Sequence, residues 1–486
     1  MLRRRSSRER TGIVIVLGIA AVIVIAAGTG SDGGAARAAT GRNPIQVENA
    51  KPGTRAFRVP LVAQHTLEGY ASEVSVLPGR TLQLHVSGER GLRYRVLVYR
   101  IGWYGGTGGR LMACRGCRTR RAVAEPIPAP DPSTGLLALT WPVTDVVPIG
   151  KDWVSGYYLA DLVVQSGPLS GRGSWVPFIV LEPPERRAPI LVQAGVNTWQ
   201  AYNKWGGRSL YWNHTGLGDN HVSFDRPYDT SGAPAEAGPG ANLPTAWELP
   251  LARFLERYGY DVAYTTDVDT DADPAELLRH RLVIVSGHDE YWTKAMRDGF
   301  DQARDSGVNL AFVGADIGYW QMRYEDNLRT IVEYRRPGLD PESDPTLKTV
   351  RFRDLAVPRP ECQLLGVQFG EVGDADYTAV GADGTPQDPW FAGTGFSPGN
   401  DLLPDLVGYE YDELVKRCAP GATTLLFESK RPDHADADAV RYQAPSGATV
   451  FAAGSVRFAV ALDPLTGRAD PRLERFMRNA LSSLLR

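Results

Sequence analysis

The residues that build most metal and redox sites are scarce here: four cysteines, seven histidines and five methionines in 486 residues. Cys114-Arg-Gly-Cys117 has no second CxxC and no histidine pair to complete a zinc site, so a local disulfide is the simpler expectation. Cys362 and Cys418 would then be the second pair, one of several pairings that four cysteines allow. No block of lysine and arginine interrupts the body of the chain. The net charge is −3, and residues 1–38 contribute +4, leaving −7 for the rest, which excludes nucleic acid as the expected partner. A long apolar run is also missing. Ile13–Ala27 spans about 15 residues, the upper end of an export-signal core and short for a membrane span. Arg3, Arg4, Arg5, Arg8 and Arg10 precede it and Ala36-Arg37-Ala38 follows it, so residues 1–38 read as a signal peptide or an uncleaved signal anchor. Either way the body is expected outside the cytoplasm, secreted or tethered to the membrane by residues 13–27. There is no lipobox cysteine, no convincing twin-arginine motif and no internal repeat.

What the chain does have is glycine and proline, 52 and 35 of them, which favours turns and long loops over a helical bundle. After a polar lead over 39–54, residues 55–182 alternate as strands separated by Gly/Pro clusters: Thr81–Gly88, Tyr94–Gly102, Gly156–Val164 and Trp175–Glu182. That spacing predicts a β-sandwich. The glycine-rich Gly102–Gly109 lacks the GK[ST] ending of a phosphate loop and reads as a connection between strands. Residues 183–188, opening on Pro183-Pro184, form a stiff linker. Beyond it, strand and helix alternate: Pro189–Gly195, Leu249–Gly259, Arg281–Gly287, the helix ending at Gly307, then Val308–Asp316. The expectation is a two-domain protein, its second part (189–486) an α/β domain with a mostly parallel, three-layer, glutamine-amidotransferase-like sheet. An irregular insertion falls near 340–420. Ligands bind such sheets beyond the carboxyl ends of the strands, which would line up Asn197–Tyr202, His288–Glu290 and Asp316.

Two stretches there resemble neither core nor ordinary surface. Asn197–Trp212, NTWQAYNKWGGRSLYW, is crowded with aromatics around two glycines. Ser286–Trp292, SGHDEYW, sets His288, Asp289 and Glu290 just past an apolar strand. A carboxylate at 290 is hard to justify by packing, although Asp289 could simply cap the helix that follows. A free phenol ligates well only where a strong Lewis acid lowers its pKa from about 10. Two phenols and a carboxylate would suit a hard cation and would suit zinc poorly.

YRIGWYGG, GVNTWQAYNKWGG, Tyr211-x-x-His214 running on to Val222–Pro227, SGHDEYW and Val450–Ser455 together resemble the large (beta) subunit of N,N-dimethylformamidase, from about residue 60 onward. The resemblance implies a mononuclear iron held by Tyr202, Tyr211 and Glu290, with Tyr228 as an alternative second tyrosine. It implies His288 beside the metal, Glu428 as a further catalytic acid, and hydrolysis of a small amide at its C–N bond. Asn197, Trp199, His214, Trp292, Asp316 and Trp320 are the candidate pocket residues. The chain lacks the small subunit that partners the characterised enzyme, and the resemblance does not specify the substrate. Self-association remains open.

Other sites score lower. Gly395-Phe-Ser397-Pro-Gly399 fits the GxSxG pattern, but Pro398 removes the N–H that an oxyanion hole needs. His214, Asp219 and His221 could bind a divalent ion, or could belong to a polar loop. The rival to the amidohydrolase reading is a non-catalytic glycan- or cell-wall-binding protein whose exposed aromatics, drawn from 11 tryptophans, stack on sugars.

Overall fold

In the computed structural model, residues 41–114, 118–213, 218–229, 244–381 and 386–486 are described. The proposed signal segment, Cys117 and His214 lie outside them. Among the described residues no helix is long and apolar enough to cross a membrane, and Cys362 and Cys418 form a disulfide.

The first part of the chain makes two sheets. Leu67–Ala71, Thr81–Gly88 and Asp145–Pro148 form one; Arg93–Ile101, Gly156–Val164 and Gly173–Val180 are the long strands of a six-stranded second. Leu82, Leu84 and Val86 of the first sheet share a core with Val96, Val98, Ala160 and Leu162 of the second. Alternation along Thr81–Gly88 accounts for this, because every second side chain faces inward.

A nine-stranded sheet organises the remainder, and it overturns the expected fold class. Its order is Val262–Thr266, Ile190–Ala194, Leu282–Gly287, Asn309–Gly314, Thr449–Ala452, Ala437–Gln443, Thr424–Ser429, Ala375–Ala379, Leu402–Val407. The first four pairings are parallel and the last four antiparallel. The sheet is therefore mixed, not mostly parallel. Only 20% of the structure is helical, and among the described residues there is no clear mostly parallel three-layer α/β domain. The fold is sheet-rich, because the segment between Asp316 and Thr449 is dominated by strands rather than crossover helices. Nor do the two halves keep separate interiors. Tyr99, Tyr157 and Leu159 of the six-stranded sheet pack in one core with Val192, Tyr264 and Ile284 of the nine-stranded sheet and Phe254 of the helix Leu249–Arg257, and Arg42–Arg486 form one unit.

Within this shared core, Asp161 is fully buried on the strand Gly156–Val164, and neither carboxylate oxygen has a hydrogen-bond partner among the described residues. Burial alone pushes its carboxyl well above the ordinary range. The folded chain therefore retains a proton that the unfolded chain releases above about pH 4, so stability falls as pH rises from there toward the folded pKa. Asp161→Asn removes this penalty. It is expected to raise urea-unfolding stability by about 1–3 kcal/mol at pH 8, with the gain vanishing near pH 4.

Candidate metal centre

Three neighbouring parallel strands, Ile190–Ala194, Leu282–Gly287 and Asn309–Gly314, deliver the site from the same end. After the first, Gly195 opens the short helix Val196–Ala201, and Tyr202 closes it. The second ends at Gly287, whose φ of +77° favours glycine and where a Cβ would meet Trp247 at 2.7 Å. That turn releases His288-Asp289-Glu290 into the interior. Past the third, Asp316 takes a left-handed φ of +52°, held by its N–H donating to Asp412 Oδ1 at 2.9 Å. A non-glycine residue held in this region is strained, and such strain gathers at functional sites. Between Tyr202 and Tyr211 the chain doubles back through Gly206 and Gly207, and the two rings stack with centroids 4.2 Å apart.

The side chains converge. Tyr202 Oη donates to Glu290 Oε2 at 2.9 Å, and Tyr211 Oη donates to Glu290 Oε1. Tyr291 Oη donates to Tyr211 Oη at 2.5 Å. Thr198 Oγ1 accepts the Glu290 N–H at 2.8 Å, fixing the loop. On the other side of Glu290, His288 Nε2 lies 2.7 Å from Glu410, 3.5 Å from Glu290 and 3.7 Å from Asp316, while Nδ1 meets Tyr409 Oη at 3.1 Å. His288, Glu290 and Asp316, all buried, offer ligand atoms within 4.8 Å of one another.

Desolvation of the hydroxyls, reinforced by the Glu290 charge, holds both phenols well above the ordinary tyrosine range, while the Tyr211 ring itself is 38% exposed. Burial also pushes Glu290 up to about 6, against the opposing His288 charge. Asp316 rises for the same first reason, with Glu290 adding to it. Burial would lower His288, but Glu410 and its other neighbours raise it overall. The site thus holds protons where a hard cation would take their place: two hydroxyls on one carboxylate, and beside them a buried Asp316 Oδ1 without a hydrogen-bond partner among the described residues. This oxygen-rich donor set fits a hard metal ion.

Not every expected residue arrives. Glu428 stands elsewhere, pairing with Lys430 at 3.1 Å on the rim of a surface cleft with Asp374, Asp376 and Asp405. Its strand belongs to the antiparallel half of the sheet, and Glu410 takes the place beside His288. Tyr228 packs against the core, with Arg226, Arg329 and Glu248 as its charged surroundings; Tyr211 is the second phenol on Glu290. Trp292 is fully buried and stacked on Phe300 at 4.4 Å, so it is core rather than pocket wall. Trp199 is likewise buried, its indole N–H on Glu248 at 2.7 Å. Asn197 braces the site from behind, donating to the Tyr291 carbonyl at 2.9 Å and accepting from Tyr324 at 2.6 Å. Trp320 is half-buried near Arg335. Asp219 is engaged by Arg208 and Asn213 while His221 faces Glu325, so these two form no second metal cluster among the described residues. Sequence reasoning missed Glu410, Tyr409 and Arg335. For Glu410 and Tyr409 the signal was the stretch Gly408–Asp412, GYEYD, an acid between two tyrosines inside the irregular insertion; Arg335 had none.

A family model described as N,N-dimethylformamidase beta subunit-like, C-terminal, matches residues 95–472. The N,N-dimethylformamidase beta subunit of Alcaligenes sp is 26% identical over 201 residues, covering 33% of this chain and 26% of that protein. The beta subunit of Paracoccus aminophilus is 28% identical over 136 residues, covering 27% of this chain and 17% of its own length. The matched segments thus span about a quarter or less of these curated relatives.

Proposed function

The chain belongs to the N,N-dimethylformamidase beta subunit-like family, and on that premise we propose that it is an iron-dependent hydrolase of a small amide. Tyr202, Tyr211 and Glu290 would hold a mononuclear iron. The observation that carries this reading is that both phenol hydroxyls bond the two oxygens of one buried carboxylate. Iron bound there supplies Lewis acidity toward an amide carbonyl and acidifies water at neutral pH. The remaining work falls to the protein. Glu410, 2.7 Å from His288 Nε2, accepts the proton released by the attacking water. His288, kept cationic by that carboxylate, returns a proton to the leaving amine. Tyr409 fixes the imidazole through Nδ1. His288, Glu290 and Glu410 are buried, and the low local dielectric strengthens each of these interactions.

Metal analysis of the purified full chain tests the reading. Stoichiometric iron with a visible tyrosinate-to-iron absorption band, diminished in Tyr202→Phe, is expected; protein that carries no iron, or only zinc, overturns it. Glu410→Gln should keep its iron and lose about a hundredfold in turnover on small formamides and acetamides. Unchanged turnover at equal iron content would remove Glu410 from proton transfer.

We further propose that residues 1–38 export the protein, with Ile13–Ala27 as the signal core or membrane tether, so that the amide is met outside the cytoplasm. Fractionation of expressing cells tests this; the full chain in the cytosol would refute it. The glycan-binding alternative needs several tryptophans at the surface, whereas Trp141, Trp153, Trp175, Trp199, Trp205, Trp292 and Trp390 are buried and, among the described residues, Trp212 alone of the tryptophans is exposed.

A further inference from the structure

Among the described residues Arg335 makes no salt bridge, and the tyrosines Tyr291 and Tyr211 lead the groups that stabilise its charge. The residue follows the strand Thr330–Val332, with a left-handed φ of +62°. Its guanidinium carbon lies 4.6 Å from the centroid of the Tyr211 ring and 5.9 Å from that of Trp320. Nε and Nη2 are buried and have no hydrogen-bond partner among the described residues. The adjacent buried carboxylate, Glu333, accepts the Arg335 backbone N–H at 2.8 Å rather than the guanidinium. Leaving buried N–H groups unpaired is costly, and a guanidinium tolerates it only where aromatic faces receive its charge. Those faces include Tyr211, whose oxygen reaches Glu290. Tyr202 has no guanidinium over its ring among the described residues.

We propose that Arg335 is a positioning residue for the metal centre, clamping the Tyr211 ring and drawing electron density from it, so that Tyr211 is the weaker electron donor of the two phenols. The proposal rests on the reading of Tyr202, Tyr211 and Glu290 as iron ligands. The cation lowers the energy of the Tyr211 π electrons, and a tyrosinate-to-iron band reports that energy directly. A merely structural arginine would not move it.

The test compares Arg335→Met and Arg335→Lys in the full chain, loaded with iron and matched for iron content and far-ultraviolet circular dichroism. The Met variant is expected to shift the band to longer wavelength, and the Lys variant to restore most of the shift. In a Tyr211→Phe background, where Tyr202 alone supplies the band, Arg335→Met should leave its position unchanged. An unshifted band in Arg335→Met, or the same shift without Tyr211, overturns the proposal. Wild-type protein without iron or band is a failure of the ligand reading instead. The clamp is then read in the metal-free chain: tyrosine near-ultraviolet circular dichroism should fall in Arg335→Met and persist in Arg335→Lys, and an unchanged Met signal overturns it.

Discussion

Glu290→Gln is expected to lose bound iron, the visible band and amide hydrolysis together. The substitution keeps the shape of the side chain and a hydrogen-bond acceptor for one hydroxyl, but removes the charge on which two phenols and a cation converge. Loss of an outer-shell partner typically costs 10- to 100-fold in metal affinity, so removal of the carboxylate itself should cost more than about 100-fold. The same change should not unfold the chain. Burial pushes the Glu290 carboxyl up to about 6, so in the metal-free protein its contribution to stability falls as pH rises above the unfolded value. A neutral isostere escapes that penalty, and the metal-free variant should match or exceed the wild type in thermal stability at pH 7. Iron retained at full occupancy in Glu290→Gln would exclude this carboxylate as a ligand.

Glu256→Ala is expected to destabilise the whole chain by about 3–5 kcal/mol in urea unfolding. Glu256 and Arg100 are both fully buried, and they meet through two contacts, Nη2–Oε1 at 2.5 Å and Nη1–Oε2 at 3.1 Å. Arg100 sits on the long strand Arg93–Ile101, and Glu256 on the helix Leu249–Arg257. The pair therefore ties the first part of the chain to the part that carries the candidate metal centre. Asn49 adds a hydrogen bond to Glu256 at 2.8 Å, drawing in the helix Pro44–Asn49. Truncating one partner strands the other charge in the core, which is where the cost arises. The double substitution Arg100→Met with Glu256→Met should recover most of the loss. If the single change cost less than about 1 kcal/mol, the pair would be behaving like a surface bridge and would not hold the two parts together.

Much of the site was legible because parallel strands announce their own ends. Apolar runs stop at Ala194, Gly287 and Gly314, and the polar residues immediately beyond them, Tyr202 of the next turn, His288 to Glu290 and Asp316, do meet. The assembly of the sheet was not legible. A buried strand reads as a continuous apolar run whether its neighbour is parallel or antiparallel, so Thr424–Ser429 and Thr449–Ala452 gave no hint that the sheet changes sense between them. Glu428 was misplaced for the same reason. Its alternation within LLFES fits an inward or an outward face equally well, and only the register with Asp438 and Thr378 decides. Glu410 was missed because its strand, Glu410–Glu413, is short and lies in a proline-rich, aperiodic segment. Trp199 and Trp292 carried no sequence signal separating a pocket wall from packing.

The sheet changes sense at Thr449–Ala452, which is parallel to Asn309–Gly314 on one side and antiparallel to Ala437–Gln443 on the other. The groups of the candidate metal centre, from Tyr202 to Glu410, all precede this strand in the chain. During synthesis, the ribosome therefore delivers every donor atom while the strand leading to Asp316 still has one open flank, a row of unpaired backbone groups. A metal taken up by this candidate site at that point would meet donors whose supporting strand is paired on one side alone, so timing as well as affinity favours loading after Thr449–Ala452 has been made.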